Sequence, residues 1–409
     1  MKLEELKNKK ILVVGLGLEG KASMHFLKHT FPYAVIDGVD QKDGSRYLDK
    51  QYEYDLAIKS PGVKSDLIKI LYTTASNIFF ANTKGLTVGV TGTKGKSTTA
   101  SLIYEMLKTD GRKVHLVGNI GKPMLEELLG EHGEDDVYVC ELSSYQLSDI
   151  HYSPHVAVFI DFFPEHMDYH GSVEKYLSAK VNIVAFSTPK DYFVYNPIFR
   201  ELRKIAEETK AQSIPFVETL PFPDADIPLV GEHNKDNVRA AITVGKIFGV
   251  TENVMHSATK NFKPLPHRLQ NIGTYKGITF YDDAISTTPE STIRAILALG
   301  NIGTILVGGQ DRGYEFISLA ETIVKHNIGN VIYFPQSGDT IASILKSFSG
   351  NTTNLFRAES MEDAVKICYE NTPMNTICLL SCASPSYSLW KNFEEKGDLF
   401  QKFVKKYGQ

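Results

Sequence analysis

The sequence predicts an α/β fold: three successive Rossmann-like or P-loop α/β domains with mostly parallel sheets. Short apolar runs that end in polar or glycine-rich turns alternate with helix-like segments along the whole chain. Two of those turns, at residues 15–20 and 92–95, are glycine-rich, and each joins an apolar run to a helix-like segment. Strands that alternate with helices form parallel sheets, whose carboxyl edges gather the polar turns.

Composition excludes several classes of function. The chain has 409 residues, 42% hydrophobic and 22% charged, which is typical of a soluble protein of two to four domains. A net charge of −4 gives no general basis for binding nucleic acid or anionic membranes. The first ten residues lack the apolar core of a signal peptide, and no apolar run is long enough to span a membrane. Four cysteines without a CxxC pair predict reduced thiols in a cytoplasmic protein and no zinc site.

The first unit begins with a strand at residues 10–14, a GxGxxG turn at 15–20 and a helix to about residue 28. A second strand at 33–39 brings Asp37 and Asp40 to the place where a Rossmann acid binds a ribose. A third strand, 55–58, ends at the turn Ser60-Pro61-Gly62, and a weak strand at 77–81 precedes a linker at 82–84. The alternative is that the glycines only allow close helix–strand packing without a ligand.

The second unit opens with a phosphate-binding loop. The apolar run 88–90 leads into Thr91-Gly92-Thr93-Lys94-Gly95-Lys96-Ser97, and a helix follows. Backbone N–H groups and the helix N-terminus would cradle polyphosphate, Lys96 would reach the outer phosphates, and Ser97 would bind Mg²⁺. Val90 replaces the first glycine of the Walker pattern, so a glycine-rich turn with an exposed lysine is the competing interpretation.

Downstream strands of this unit end in polar residues. The strand 114–117 is followed by Asn119, the strand 137–140 by Glu141, and the strand 156–160 by a segment that contains His166. A predicted helix at 173–186 carries Lys180. Singly these would be a capping acid, a surface histidine and a solvated lysine, but together they predict a metal and phosphate cluster.

Two asparagines begin the predicted helix at 235–248. The amides of Asn234 and Asn237 could read a base, although Asn234 could equally act as an N-cap. A proline-containing linker at 262–266 then precedes a third unit, with strands at 279–282, 304–307, 330–334 and 376–380. The predicted domains are therefore 1–84, 85–264 and 265–409.

Several motifs in order carry a family resemblance. They are the phosphate loop, ELSSYQL at 141–147, EHMD at 165–168, YLSAK at 176–180, GEHNKDN at 231–237, PHR at 266–268 and KNFEEKGDLF at 391–400. Over nearly its whole length the chain resembles the Mur ligases, and within them the glutamate-adding branch. ELSSYQL and the KNFEEKG tail are the specific parts of this resemblance.

The resemblance implies an activity in peptidoglycan precursor synthesis. ATP would phosphorylate the carboxylate of UDP-N-acetylmuramoyl-L-alanine, and the amine of glutamate would attack the acyl phosphate. Two Mg²⁺ ions would assist, one near Ser97 and Glu141 and the other held by His166 and a carbamylated Lys180. The expected partners are these small molecules alone, with a monomeric protein.

The resemblance also assigns binding residues. For ATP these are Gly92, Thr93, Lys94, Gly95, Lys96, Ser97, Thr98, Asn234, Asn237, Arg268 and Asp283. For the uridine diphosphate substrate they are Gly15, Leu16, Gly17, Gly20, Asp37, Asp40, Ser60, Pro61, Gly62, Asn119 and Ser143. For glutamate they are Thr287, Arg312, Ser386 and Phe393. Lys96, Glu141, His166 and Lys180 form the expected catalytic set.

The chain departs from the family pattern in places. Ile285 stands at a usual lysine, Ser388 at a common aspartate, and the last helix before the phosphate loop is absent from the prediction. These departures affect the amino-acid site most, so D-glutamate is expected and L-glutamate is the alternative. The 262–266 linker is expected to be a hinge, with the third unit closing over ATP.

Four other classes of protein fit the sequence motifs less well. Folylpolyglutamate synthases lack a GxGxxG unit of this kind, and the tail motif disfavours other Mur ligases. An amidotransferase partner subunit of similar build would carry a cysteine-rich zinc insertion. A non-catalytic nucleotide-binding protein would be expected to lose Lys96, Glu141, His166 or Lys180, and all four are present.

Overall fold

The computed structural model describes residues 1–350 and 352–409, and it confirms the predicted fold class. Three separate sheets of four, six and six strands follow one another along the chain. Two compact units contain them: residues 1–227 with 233–262 hold the first two sheets, and residues 228–232 with 263–409 hold the third.

The first sheet is parallel, with the strand order β2-β1-β3-β4. All four residues of the central strand β1 are buried. The strands are β1 (Ile11–Val14), β2 (Ile36–Val39), β3 (Leu56–Lys59) and β4 (Tyr72–Thr73), and the helices are α1 (Leu3–Leu6), α2 (Leu18–Thr30) and α3 (Ala75–Asn82).

Helix α3 corrects two expectations. The predicted strand at 77–81 is wrong, and so is the predicted absence of a helix before the phosphate loop. Thr74 begins the helix, since its Oγ1 accepts a hydrogen bond from the backbone N–H of Asn77. Ile78 and Phe79 are buried in the core, so the apolar run that suggested a strand is the inner face of a helix.

The second sheet is also parallel, with the order β10-β9-β8-β5-β7-β6. Its strands are β5 (Leu86–Thr91), β6 (Val114–Gly118), β7 (Val137–Glu141), β8 (Val156–Phe159), β9 (Tyr192–Tyr195) and β10 (Gln212–Pro215). Because β5 lies between β7 and β8, the loops that follow these three strands meet at one edge of the sheet.

Eight helices belong to this part of the described chain: α4 (Lys96–Thr109), α5 (Met124–Glu127), α6 (Ser144–Leu147), α7 (Met167–His170), α8 (Val173–Val181), α9 (Arg200–Glu208), α10 (Glu232–Ile247) and α11 (Glu252–Lys260). Helix α8 ends five residues before the predicted limit of 186. Helix α10 begins three residues before the predicted start, so Asn234 lies inside its first turn rather than capping it.

The first two sheets are joined by a buried polar network as well as by a shared apolar core. Lys59 at the end of β3 forms an ion pair of 2.9 Å with Asp149, which follows α6. The Asp149 carboxylate also accepts hydrogen bonds from the hydroxyls of Ser65 and Tyr72. This network fixes the turn after β3 against the second sheet.

The third sheet has the order β11-β12-β16-β13-β14-β15 and is parallel except for the β11–β12 pair. Its strands are β11 (Gln270–Tyr275), β12 (Ile278–Asp282), β13 (Ile302–Gly308), β14 (Asn330–Phe334), β15 (Asn354–Arg357) and β16 (Ile377–Leu380). The helices are α12 (Pro289–Leu299), α13 (Ile317–Lys325), α14 (Ser337–Ser347), α15 (Met361–Asn371) and α16 (Phe393–Gly408).

Across the described residues, every helix is too short or too polar to cross a bilayer.

Candidate active site

The phosphate loop joins β5 to α4, as the sequence predicted. Its backbone N–H groups point inward: those of Thr93 and Lys94 both donate to Asp161 Oδ1, at 2.7 and 2.9 Å. Asp161 follows β8, and the sequence analysis did not identify it. Two backbone N–H groups of the loop thus converge on one anionic side chain.

Gly95 allows α10 to approach the loop. It has a φ of +78°, and a Cβ there would lie 2.3 Å from Asn237 Oδ1. Asn237 in turn accepts a hydrogen bond from Thr99 Oγ1 and donates one to Asn234 Oδ1. Both asparagines are buried. Their amides therefore brace the phosphate loop, which is a contact that the sequence analysis did not foresee.

Two lysines converge on one carbonyl of the loop. Lys96 Nζ donates to the carbonyl oxygens of Gly92 and Thr93, at 3.1 and 2.9 Å. Lys180 Nζ donates to the same Gly92 oxygen at 2.6 Å. Burial lowers the pKa of Lys96, and burial together with the Lys96 charge lowers the pKa of Lys180 well below its usual range. The environment thus favours a neutral Lys180.

Glu141 ends β7 and is 1% exposed. Its Oε1 accepts a hydrogen bond of 3.0 Å from Asn119 Nδ2, while its Oε2 has no hydrogen-bond partner among the described residues. The Glu141 charge acts on the nearby Lys96. An unpartnered carboxylate oxygen in a buried site is costly unless a cation or donor binds it, so this atom suits a metal ion.

His166 lies on the same side of the loop. Its backbone adopts a left-handed conformation, with a φ of +60°, directly before α7. Burial lowers the pKa of its ring, which favours the neutral form that can bind a metal. Neighbouring Glu165, a residue that the sequence analysis quoted without a role, forms an ion pair of 2.6 Å with Lys94 of the loop.

The residues present fit a Mg²⁺ site with one or two protein oxygen ligands better than a site built from a cluster of acidic side chains. Within the described chain, no three His, Cys, Asp or Glu side chains cluster in a metal-binding arrangement. Within the part of the chain that the structure describes, Glu141 Oε2 and the Thr98 hydroxyl are both buried without a hydrogen-bond partner. Magnesium usually takes one or two carboxylates, with water and phosphate completing its shell.

A cavity of about 680 Å³ opens beside the first sheet. Its walls come from the GxGxxG turn, the turn after β3, the segment after β2 and the segment after β6. Of the residues predicted to bind a uridine diphosphate substrate, it is lined by Gly15, Gly17, Gly20, Asp40, Ser60, Pro61, Gly62 and Asn119. The cavity is wide enough for a drug-sized ligand.

The glycines shape this wall by close packing. A Cβ on Gly20 would lie 1.8 Å from the carbonyl oxygen of Gly15, so only glycine fits there. Ser60 Oγ donates to the same Gly15 oxygen at 2.6 Å and ties the two turns together. Asp40 accepts the backbone N–H of Leu16 at 2.6 Å, and this hydrogen bond lowers the pKa of Asp40.

Three other predicted substrate residues do not line the cavity. Asp37 is exposed, does not line the cavity and accepts a hydrogen bond from the Tyr54 hydroxyl at 2.7 Å. Ser143 is the N-cap of α6: its Oγ accepts the N–H of Gln146. The backbone N–H of Leu16 donates to Asp40, which does line the cavity.

Asn119 connects the cavity to the phosphate loop. It lines the cavity, and its side chain donates to Glu141. Its backbone N–H also donates to the Glu141 carbonyl oxygen, at 3.1 Å. Asn119 therefore contacts both the cavity and Glu141, whose charge acts on Lys96.

In the unit that contains the third sheet, Asp283 follows β12. It is buried and accepts hydrogen bonds from the hydroxyl of Ser381 and the backbone N–H of Leu269, at 2.8 and 3.2 Å. Burial raises the pKa of Asp283 to about 6, and the Arg268 charge opposes that shift. Arg268 and Asp283 are thus close enough to interact, as the family resemblance requires.

The four predicted glutamate residues follow three different strands of this unit. The hydroxyl of Ser386 is buried without a partner among described residues, and Arg312 is exposed, with its guanidinium 5.9 Å from the ring centre of Tyr387. Thr287 immediately precedes Thr288, the N-cap of α12. Phe393 begins α16, where its ring contacts His267.

Comparisons with known proteins agree with this architecture. The Mur ligase middle domain family matches residues 90–222. The UDP-N-acetylmuramoylalanine–D-glutamate ligase of Ligilactobacillus salivarius is 32% identical, over 99% of this chain and 98% of its own length. The protein of the same name from Streptococcus agalactiae is 32% identical over 96% of both chains.

Solved structures share the fold at low identity. The MurF ligase of Thermotoga maritima, in complex with ADP, aligns with a TM-score of 0.66 at 18% identity, over 97% of this chain and 95% of its own. A folylpolyglutamate synthase of Mycobacterium tuberculosis aligns with a TM-score of 0.58 at 13% identity, over 78% of this chain and 91% of its own. From its near full-length relatives, the chain belongs to the UDP-N-acetylmuramoylalanine–D-glutamate ligases of the Mur ligase family.

Proposed function

We propose that the protein joins D-glutamate to UDP-N-acetylmuramoyl-L-alanine with ATP, in peptidoglycan precursor synthesis. The observation that carries this proposal is Asn119, which lines the 680 Å³ cavity and also donates to Glu141 beside the phosphate loop. A sugar nucleotide in the cavity would extend its L-alanyl carboxylate past Asn119 toward the γ-phosphate of ATP.

Activation of the carboxylate is the reason for using ATP. A carboxylate is a poor electrophile, so its oxygen attacks the γ-phosphorus and ADP leaves. The amine of glutamate then attacks the acyl carbon, an amide bond forms and inorganic phosphate departs. Lys96 would stabilise the charge of the transferred phosphoryl group, and its position over the loop carbonyls supports this role.

The proposed metal ligands follow the family resemblance, and the Oε2 of Glu141, which has no hydrogen-bond partner among the described residues, supports them. Ser97 and Glu141 would hold one Mg²⁺, whose chemistry is to neutralise charge on the phosphates and the developing acyl phosphate. His166 and a carbamylated Lys180 would hold a second ion. As a cation Lys180 would repel Mg²⁺, whereas carbamylation of its neutral amine would give the oxygen ligand that Mg²⁺ prefers.

The remaining nucleotide contacts follow the same assignment. The loop residues Gly92, Thr93, Lys94, Gly95, Ser97 and Thr98 would surround the phosphates. Asn234 and Asn237 would hold the adenine side, because α10 brings their amides against the loop. Arg268 and Asp283 would contribute from the domain proposed for residues 265–409.

The sugar nucleotide and glutamate would bind to different domains. We assign the uridine diphosphate part to the cavity of the domain proposed for residues 1–84, together with Asn119 of the domain proposed for 85–264. Thr287, Arg312, Ser386 and Phe393 would bind glutamate, and the unpartnered Ser386 hydroxyl supports a ligand there. The names of the relatives favour D-glutamate over the alternative L-glutamate.

The setting of the enzyme is part of the proposal. All four cysteines are described by the structure, are buried and carry free thiols, which suits a reducing cytoplasm. We propose a monomer that acts on small molecules alone.

Trapping the acyl phosphate tests the proposed function. The full-length protein, incubated with ATP, Mg²⁺, the sugar nucleotide and hydroxylamine but no glutamate, should yield a hydroxamate of the L-alanyl carboxylate. Lys96→Met should give none, whereas Lys108→Met, at the far end of α4, should match the wild type. A wild-type protein that formed neither hydroxamate nor ADP would contradict the proposal and favour a non-catalytic nucleotide-binding protein.

A further inference from the structure

Glu19 has no assigned role, yet it lies in the wall of the cavity. It occupies the fifth position of the GxGxxG turn, in the first turn of α2, where helix N–H groups favour an anionic ligand. A carboxylate at this position competes with the diphosphate that the proposed function places here.

The charges around the cavity sharpen this conflict. Among the described residues, its lining includes the acids Glu19 and Asp40 and one lysine, Lys64. Lys59, whose charge acts on Glu19, forms an ion pair of 2.9 Å with Asp149. With both acids ionised, the described lining would carry a net negative charge toward a doubly charged diphosphate, which opposes binding.

The contacts of Glu19 indicate how the conflict is resolved. Its Oε2 accepts a hydrogen bond of 3.0 Å from Gln146 Nε2, which belongs to the ELSSYQL segment of the second sheet. Its Oε1 is buried with no hydrogen-bond partner among the described residues. A buried oxygen without a partner is costly when ionised and far less costly when it carries a proton that a ligand can accept.

We propose that Glu19 is a further ligand-binding residue of this cavity: it donates a proton-bearing Oε1 to a phosphate oxygen of the sugar nucleotide, so that binding takes up a proton. This inference rests on the proposed function for the identity of the ligand. Gln146 holds the other oxygen in place and thereby orients the acid. The step transfers no covalent group, since the proton comes from solvent and stays on Glu19.

Titration of Glu19 agrees with this geometry. Burial raises the pKa of Glu19 to about 7, against the opposing effects of the Gln146 hydrogen bond and the Lys59 charge. Asp40 is not the source of the proton, because its hydrogen bond from Leu16 lowers its pKa. The protonated fraction of Glu19 therefore falls as pH rises through neutrality, and affinity for the diphosphate falls with it.

Calorimetry of the full-length protein with UDP-N-acetylmuramoyl-L-alanine tests this inference without relying on turnover. Between pH 6 and 8.5 the Kd of the wild type should rise by about 30-fold, since linkage to one proton gives up to about tenfold per pH unit above the pKa. Titrations at pH 8 in two buffers of different ionisation enthalpy should show uptake of about one proton.

Variants separate Glu19 from other groups. Glu19→Gln keeps an acceptor for Gln146 but cannot ionise, so its Kd should vary less than threefold over this range without proton uptake. Glu53→Gln, which alters an exposed acid of the same domain, should behave like the wild type. Uridine, which lacks phosphates, should bind the wild type with no proton uptake.

The outcomes are distinguishable from those of the proposed function. Sugar-nucleotide binding without proton uptake, or with the same uptake in Glu19→Gln, would overturn the inference and leave the proposed function intact. If Glu19→Gln failed to fold, the buffer comparison and the uridine comparison on the wild type would still show whether binding of the diphosphate takes up a proton. Absence of sugar-nucleotide binding at every pH would contradict the proposed function itself.

Discussion

Lys180 shows at the scale of one residue how burial changes the chemistry of a side chain. It is 1% exposed, lies 4.9 Å from the ring centre of Tyr176 and shares a carbonyl acceptor with Lys96. Two ammonium groups at one acceptor repel each other, and burial penalises both charges. A buried lysine in this position is suited to become a carbamate, which removes the repulsion and supplies an oxygen ligand.

Removing this side chain should therefore stop the reaction. We expect Lys180→Ala to lower kcat by at least about 100-fold, the order of magnitude for loss of a group that orients a catalytic metal. Short carboxylic acids such as acetate should restore part of the activity by occupying the space of the carbamate. Lys190→Ala, at an exposed position, is the matched control and should retain full activity. Full activity of Lys180→Ala would contradict the proposal that Lys180 is a carbamylated metal ligand.

At the scale of elements, the sequence predicted the parts of the fold that follow strong local rules. Buried parallel strands such as β1 and β7 are short apolar runs that end in turns, so the sequence predicted them correctly. The apolar run at 77–81 was wrongly predicted as a strand because a short apolar run fits a strand and a buried helix equally well. The helix forms because Thr74 caps its N-terminus. The edge strands β10 and β11 have few buried residues and gave no signal.

The residues of the candidate site could likewise be predicted where they belong to local motifs, and not where their roles depend on distant partners. Lys96, Glu141 and Asn119 belong to local motifs, and the structure brings them close together. Asp161 and Glu19 were missed because their roles depend on partners about 70 and 130 residues away in the chain, the phosphate loop and Gln146. The amide contacts of Asn237 with the loop helix were missed for the same reason.

The phosphate loop offers a test of close packing between elements. Gly95→Ala would place a Cβ 2.3 Å from Asn237 Oδ1 in a left-handed backbone conformation, so the Asn237 side chain must shift away from the loop. Gly111→Ala has a similar φ of +86° with no atom within 4 Å, so it isolates the backbone strain alone. We expect Gly95→Ala to lose ATP binding by at least tenfold and Gly111→Ala to bind normally while losing about 1 kcal/mol of stability. Equal ATP affinity in the two variants would contradict the packing argument.

At the scale of the whole molecule, the first two sheets are held together by buried polar contacts. Burial alone would raise the pKa of Asp149, but Lys59 and hydrogen bonds from Ser65 and Tyr72 outweigh burial and lower it. Its stabilising effect is therefore present at neutral pH and is lost as pH falls through the lowered pKa. The same network supports the turn after β3 that lines the cavity.

Breaking this network should cost both stability and substrate affinity. Asp149→Asn leaves the charge of Lys59 buried without an anionic partner, which costs about 3–5 kcal/mol of unfolding free energy. Urea unfolding measures this loss, and KM for the sugar nucleotide should rise more than KM for ATP. Glu362→Gln breaks the more exposed pair with Lys406 and should cost less than about 1 kcal/mol. Similar losses in the two variants would show that the buried pair has no special role.

The third domain is expected to move. The boundary between the two compact units falls between Phe262 and Lys263, inside the linker predicted at 262–266. We expect small-angle scattering to give a smaller radius of gyration with ATP, Mg²⁺ and sugar nucleotide than without them, because the domains must close to bring glutamate to the acyl phosphate. Superimposable profiles would reject a hinge at this linker.

The most direct test of the account measures amide formation itself. The purified protein, given ATP, Mg²⁺, UDP-N-acetylmuramoyl-L-alanine and glutamate, should release one phosphate for each glutamate that it joins to the sugar nucleotide, as read by phosphate assay and product mass. D-glutamate should support turnover at least tenfold faster than L-glutamate. Absence of phosphate release and of the new amide with both enantiomers would contradict the central claim that ATP activates a carboxylate here for capture by an amino acid.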